Sequence, residues 1–304
     1  MMDPQLTGGK TAMSIRKFLR FIPVMALLPL PAVSQGLDAT KIDSQLGRSG
    51  QKTGDVYKVG FPRTDLHVSV HGLAIKPGLA LGSWAAFSGS DESAMVMGDL
   101  VLLESEVNPV MDKLKSAGFE ITAIHNHLAE ETPHVMYIHY MGHGPAAQLA
   151  TSLRTALGAS KTPLEKPVAG EEPPTPPAWV DALGKKLARK GTFKGGVLAY
   201  GIARSNPVTM DSMTIAPAAG VAEAINFQAA DSGNVATTGD FVLTAAEVNP
   251  VLSELRSHNI AVTALHSHML TEEPRLFFMH FWAVGTPEAV GAGIDAALKR
   301  VAVK

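Results

Sequence analysis

A chain of 304 residues, 46% hydrophobic and only 18% charged, is globular and long enough for two ordinary domains with separate cores. Its formal net charge of -2 offers no basic surplus to neutralise phosphates, which excludes a nucleic-acid partner. Cysteine is absent, so disulfides, thiolate metal sites and a cysteine nucleophile are excluded, and imidazole and carboxylate remain as metal ligands.

Residues 1–34 read as a signal peptide. Lys10, Arg16, Lys17 and Arg20 precede the apolar run Phe21–Leu30, and Ala32-Val33-Ser34 supplies small residues for cleavage near Ser34/Gln35. The run is short and interrupted by Pro23 and Pro29, so the mature protein is expected to keep no stable membrane span and to be periplasmic or secreted. An N-terminal anchor helix is the alternative, and Met13 competes with Met1 as the start.

A first repeat domain is expected over 37–158. Lys41–Leu46 reads as a helix; Val56–Pro62, Leu66–Val70, Trp84–Phe87 and Ala94–Leu103 read as strands. Glu104–Ala117 carries Val107, Val110, Met111 and Leu114 at helical spacing and stops at Gly118, with Pro109 expected in the first turn. A hairpin, Glu120–Leu128 with His134–Met141, and the helix Pro145–Leu157 complete the unit. A proline-rich linker, 159–177, leads to a second repeat domain over 178–304 with the same plan. Strands, helix, hairpin and helix define an α+β class: two homologous tandem domains, each an antiparallel sheet with helices packed on it. The unit strand–helix–hairpin–helix can wind like a ferredoxin-type sheet.

The duplication is densest around ITAIHNHLAEETPHVMYIHYMGHG (121–144), which returns at 262–285 as VTALHSHMLTEEPRLFFMHFWAVG with a constant offset of 141 residues. Each copy holds a His-x-His pair and a third histidine: His125, His127 and His139, then His266, His268 and His280. Residues two apart on a strand share a face, and an unbulged hairpin brings the third imidazole to that face. Three converging imidazoles suit a divalent metal ion, zinc foremost, with copper the alternative. Glu131 and Glu272 occupy matching loop positions, where each can serve as a fourth ligand, orient an imidazole or act as the general base. The rival reading is a cross-strand ladder of hydrogen-bonded histidines. Tyr137, Tyr140 and Met141 have become Phe278, Phe281 and Trp282 while all three histidines persist, which favours metal.

Glu-Val-Asn-Pro-Val opens the helix of both copies at Glu106 and Glu247, and it reads first as capping. Asp99 and Asp240, each after a glycine, either orient a histidine or shape a turn. His143 is a lesser candidate ligand, and His258 suits a helix C-terminus. Gly-x-Ser-x-Gly, a phosphate-binding loop and His-Glu-x-x-His are all absent.

The stretches SWAAFSGSDESAMVMGDLVLLESEVNPVM, ITAIHNHLAEETPHVMYIHYMGHG and ALHSHMLTEEPRLFFMHFWA resemble the LppY/LpqO family of bacterial envelope proteins, built from a tandem domain of unknown function. The resemblance implies an exported protein and little chemistry, and this chain lacks the family's lipid-anchoring cysteine. Three functions therefore stand. One is a metal-dependent hydrolase of a small-molecule or peptide substrate; the others are a periplasmic metal carrier and a structural envelope protein with buried histidines.

Overall fold

The computed structural model describes residues 9, 36–165, 175–211 and 213–304. Apart from Gly9, the expected leader lies outside these residues, as does the middle of the linker.

In the first repeat, helix α1 (Ala39–Leu46) precedes strands β1 (Gln51–Thr53), β2 (Val56–Pro62), β3 (Gly82–Gly89) and β4 (Ala94–Leu103), with a single helical turn, α2 (Pro77–Ala80), between β2 and β3. Then follow α3 (Glu104–Ser116), β5 (Glu120–His125), β6 (Val135–Gly144) and α4 (Ala146–Leu157). The second repeat runs α5 (Ala178–Leu187), β7 (Thr192–Lys194), β8 (Val197–Ala203), β9 (Ala222–Ala229), β10 (Val235–Thr244), α6 (Ala245–Ser257), β11 (Ala261–His266), β12 (Leu276–Gly285) and α7 (Pro287–Leu298). Both sheets have six strands with antiparallel neighbours, in the orders β1-β2-β3-β4-β6-β5 and β7-β8-β9-β10-β12-β11. Strand β6 inserts between β4 and β5, the split β–α–β of a ferredoxin-type winding, while the other flank is a meander. The chain is thus α+β, with two tandem domains built to one plan.

Several local expectations shift. Of Leu66–Val70 only Ser69–Val70 is extended, in a small ribbon with Leu73–Ala74 and Glu131–Thr132. Helix α3 begins at Glu104, so Pro109 lies inside it and not in its first turn. The start is set by Glu106, whose carboxylate accepts the Leu103 amide at 2.9 Å; Glu247 repeats this on Thr244 at 2.7 Å. Strand β5 ends at His125 because the Asn126 side chain turns back to the Leu128 carbonyl at 2.7 Å, leaving His127 on the loop.

Alternation along the strands makes two buried faces. Leu100, Leu102, Ile138 and Tyr140 pack under α1, α3 and α4, and Phe241, Leu243, Met279 and Phe281 do the same under α5, α6 and α7. The opposite faces meet each other: Met95, Met97 and Met141 pack with Met210, Met269 and Phe278, and Val101 and Tyr137 with Ala236 and Trp282. The order of layers is helices, sheet, sheet, helices. Hydrogen bonds fix the seam, with Gln228 bridging the Lys76 amide at 2.9 Å and the Ala74 carbonyl at 2.8 Å, and Asn226 donating to the Leu79 carbonyl at 3.0 Å.

Gly98 and Gly239, before the two matched aspartates, let neighbouring strands close. A Cβ on Gly239 would overlap the Ala224 carbonyl, and one on Gly98 the Trp84 carbonyl and the Tyr140 hydroxyl. Gly239→Ala is expected to destabilise the protein by about 3 kcal/mol, the upper end of overpacking costs, read from its urea midpoint. An unchanged midpoint would show that the strands separate freely there.

Candidate metal centre

A bulge in each hairpin positions the histidines. Strand β5 pairs with β6 as Ile121 with Tyr140, then, past Thr122, as Ala123 with His139 and His125 with Tyr137. Without that extra residue, His125 would fall on the helix side of the sheet. The second hairpin shifts identically around Thr263, so that Ala264 faces His280 and His266 faces Phe278. The expected common face therefore exists, but it depends on a bulge that an unbulged hairpin does not contain.

That face is the one each sheet turns toward its partner, so the two triads form one cluster. His125 lies 5.0 Å, centroid to centroid, from both His127 and His139; His266 lies 4.9 Å from both His268 and His280. Across the seam, His125 faces His266 at 3.7 Å, His127 stacks on His280 at 3.9 Å and His139 on His268 at 3.6 Å. The contacts obey a pseudo-two-fold passing between His125 and His266. His127 on Tyr137 at 3.5 Å is matched by His268 on Phe278 at 3.6 Å. The repeats thus pair through the same patch on each, as in an isologous dimer.

The donor atoms converge as well. One nitrogen each from His125, His127 and His139 lie within 4.8 Å of one another, and the same holds for His266, His268 and His280 together with His125. A third set, His127, His280 and Asp240, crosses the seam. The Nδ1 atoms of His125, His266 and His280 face the carbonyls of Asn126, Ser267 and Gly239 at 3.3, 3.2 and 3.2 Å. A carbonyl only accepts, so each of these Nδ1 carries the proton and Nε2 is left with its lone pair. None of the six Nε2 atoms has a hydrogen-bond partner within the protein, although all are buried. That disfavours a ladder of hydrogen-bonded imidazoles.

Electrostatics keeps five of the rings neutral. Burial, then the neighbouring imidazoles, pushes His125, His127, His139 and His268 well below the usual histidine range, and lowers His266 to about 4. Neutral imidazole is the form that ligates a metal.

The carboxylates at the centre are Asp99 and Asp240. Each pairs directly with a triad histidine across the ladder, Asp99 with His139 and Asp240 with His280, so the side chains share a face. Asp240 approaches His280 Nδ1 to 2.5 Å, and Asp99 lies 3.8 Å from the Nε2 atoms of His127 and His139. Burial and then the Asp240 charge push the Asp99 carboxyl far above its usual range, against the pull of Lys58. Glu131 and Glu272 are engaged elsewhere. Glu131 accepts the Val135 amide at 3.3 Å and meets His134 at 2.6 Å; Glu272 accepts the Leu276 amide at 2.9 Å and meets Arg275 at 3.3 Å. Both fasten the loop four residues on, and neither joins a ligand set among the described residues. His143 is exposed and outside the cluster, and His258 Nδ1 meets the Glu254 carbonyl at 2.9 Å near the end of α6.

The chain matches the model of the family described as Domain of Unknown Function (DUF1259) twice, over residues 40–159 and 181–300. It belongs to that family, with the domain in tandem. No curated protein matches it. Among solved structures, the trimeric bacterial microcompartment shell protein PduB is similar at 12% identity, covering 83% of this chain and 89% of that one, with a TM-score of 0.21. A crystal form of TP0453 is similar at 12% identity, covering 86% and 98%, with a TM-score of 0.19. Likeness at that level has no bearing on activity.

Proposed function

We propose that this is a metalloprotein whose two repeats jointly hold a pair of divalent ions, zinc foremost and copper the alternative, on His125, His127, His139, His266, His268 and His280. One observation carries the reading: six buried Nε2 atoms converge and none has a partner in the protein. Leaving a buried acceptor unpaired costs about 1–3 kcal/mol, and rings stacked 3.6–3.9 Å apart leave little room for waters between them. Zinc–imidazole bonds of about 2.0–2.1 Å set ligand nitrogens roughly 3.4 Å apart in a tetrahedron. Ligand sets already within 4.8 Å reach that with small ring movements.

Hydrolysis of a small-molecule or peptide substrate is favoured over simple metal capture because a cleft of about 370 Å³ ends at Asp99, His127 and Asp240. The metal would polarise a substrate oxygen. Asp99 and Asp240, and not Glu131 or Glu272, are the carboxylates placed to move a proton there. The leader pattern at residues 1–34 and the resemblance to the LppY/LpqO envelope proteins support export to the periplasm or beyond. Among the described residues, no helix is long and apolar enough to cross a membrane.

Elemental analysis of the untagged, signal-free protein tests the reading. Two ions per chain are expected. His125→Ala should release one and His266→Ala the other, since an imidazole whose Nδ1 holds its proton gives its one lone pair to a single ion. Two ions kept by either variant would overturn these ligand assignments, and no uptake on titration would overturn the proposal.

A further inference from the structure

The pseudo-two-fold that relates the triads also relates the cavities beside them, and the two have diverged. One, of about 20 Å³, is bounded by His139 and His268, with Trp84, Met97, Ala219 and Gly220. The other, of about 370 Å³, is bounded by His127, Asp99 and Asp240, with Ala224, Thr238, Leu79 and Ala80. Sheet register shows that these walls correspond. Trp84 pairs with Asp99 as Ala224 pairs with Asp240, and Met97 and Thr238 both stand two residues before those aspartates. Lys58 pairs with Ala86 as Ala199 pairs with Asn226.

One side of the centre is therefore plugged by three large residues. The Trp84 indole packs against Gly220, where a Cβ would meet it at 2.8 Å, and the Lys58 ammonium sits 3.8 Å from its ring centroid. Met97 fills the space beside them. At the equivalent positions the open side has Ala224, Ala199 and Thr238, although Trp84 also touches its rim. A space of about 20 Å³ admits one water or ion at most. The larger one lies within the range of roughly 300–1,000 Å³ of small-molecule sites.

From this divergence, and resting on the metal reading above, we infer that the centre works from one side only: the cleft above His127 and Asp240 admits a small organic molecule that presents an oxygen donor to the ion there. The cleft reaches the first triad at His127, and its three imidazoles, His125, His127 and His139, leave coordination positions for that donor, with Asp240 beside His127. The walls contributed by Gly60, Gly78, Leu79 and Ala80 are uncharged, and the ionisable groups lie at the floor. The body of the ligand is accordingly neutral, with its polar head toward the metal. The plugged ion then has a structural role.

Acetohydroxamic acid, a small oxygen donor that is uncharged in neutral solution, is the probe, added to the cobalt-loaded, signal-free chain and followed by the cobalt absorption bands. One molecule should bind per chain. Thr238→Met, which copies the plugged side, should keep its cobalt and bind the probe about tenfold or more weakly. Met97→Thr, which thins the plug, should keep the first binding event and gain a second. Two molecules bound by the unaltered chain, or affinity unchanged in Thr238→Met with no gain in Met97→Thr, would overturn the one-sided reading while leaving the metal centre standing. Failure to take up cobalt would overturn the metal reading and this inference with it.

Discussion

Stripping metal from the loaded protein is expected to lower its melting temperature by roughly 8–16 °C. A ligand held at a thousand times its Kd stabilises the native state by about 4 kcal/mol, and for a unit of this size each kcal/mol moves the midpoint by about 2–4 °C. The cause is local. Two sheets are pressed together over six imidazoles whose buried Nε2 atoms nothing in the protein satisfies. In the unfolded chain water would satisfy them, so the bare native state bears the desolvation and the loaded state does not. His268→Ala, which removes a buried ligand of the second set, should show a much smaller difference between loaded and stripped samples. Calorimetry with and without chelator checks both. Identical midpoints in the two samples would mean that the histidines are packing residues and that the metal reading is wrong.

What the sequence displays about this centre depends on how far each contact reaches along the chain. The histidines stand out because identical residues recur at a fixed offset while Tyr137, Tyr140 and Met141 change around them. The α+β plan is legible too, since its strands alternate and its helices carry apolar stripes. Asp99 is hidden for a different reason: it meets His139 only through the pairing of β4 with β6, forty residues apart in the chain. Glu131 and Glu272 mislead in the opposite direction, being near the histidines in sequence while their carboxylates fasten their own loops. The bulges at Thr122 and Thr263 carry no composition signal, yet they decide which face His125 and His266 occupy. Least legible is the docking of the two sheets. Each triad reads as complete by itself, and only the seam shows a His125 nitrogen within 4.8 Å of those of His266, His268 and His280.

The other large effect lies in the Glu-Val-Asn-Pro-Val segment and has a structural origin. Arg63 is fully buried, donates to the Val101 carbonyl at 2.7 Å, and binds Glu106 at 2.7 Å and Asp65 at 2.9 Å. Glu106 also accepts the amides of Leu103 and Lys161, so one carboxylate ties together β2, the start of α3 and the segment after α4. The second repeat rebuilds this with Arg204 and Glu247 at 2.9 Å, and Glu247 accepts the Ala302 amide near the C-terminus. Arg63→Ala is expected to cost about 3–5 kcal/mol, because it strands a buried carboxylate and does not merely remove an attraction. Arg63→Met with Glu106→Gln should recover part of that loss, since no unpaired charge remains. The acid side gives a second readout. Burial raises the Glu106 carboxyl, but the hydrogen bonds from Arg63, Lys161 and Leu103 outweigh it and the net shift is downward. The unfolded chain takes up that proton near pH ~4.3, while the folded chain holds it off until lower pH. The pair's stabilisation is therefore complete above that value and drains away as pH falls toward the folded pKa. Urea midpoints between neutral pH and pH ~3 should fall steeply for the unaltered protein and less steeply for Arg63→Ala. Equal slopes would assign the stability of this corner to packing around α3 and not to the ion pair.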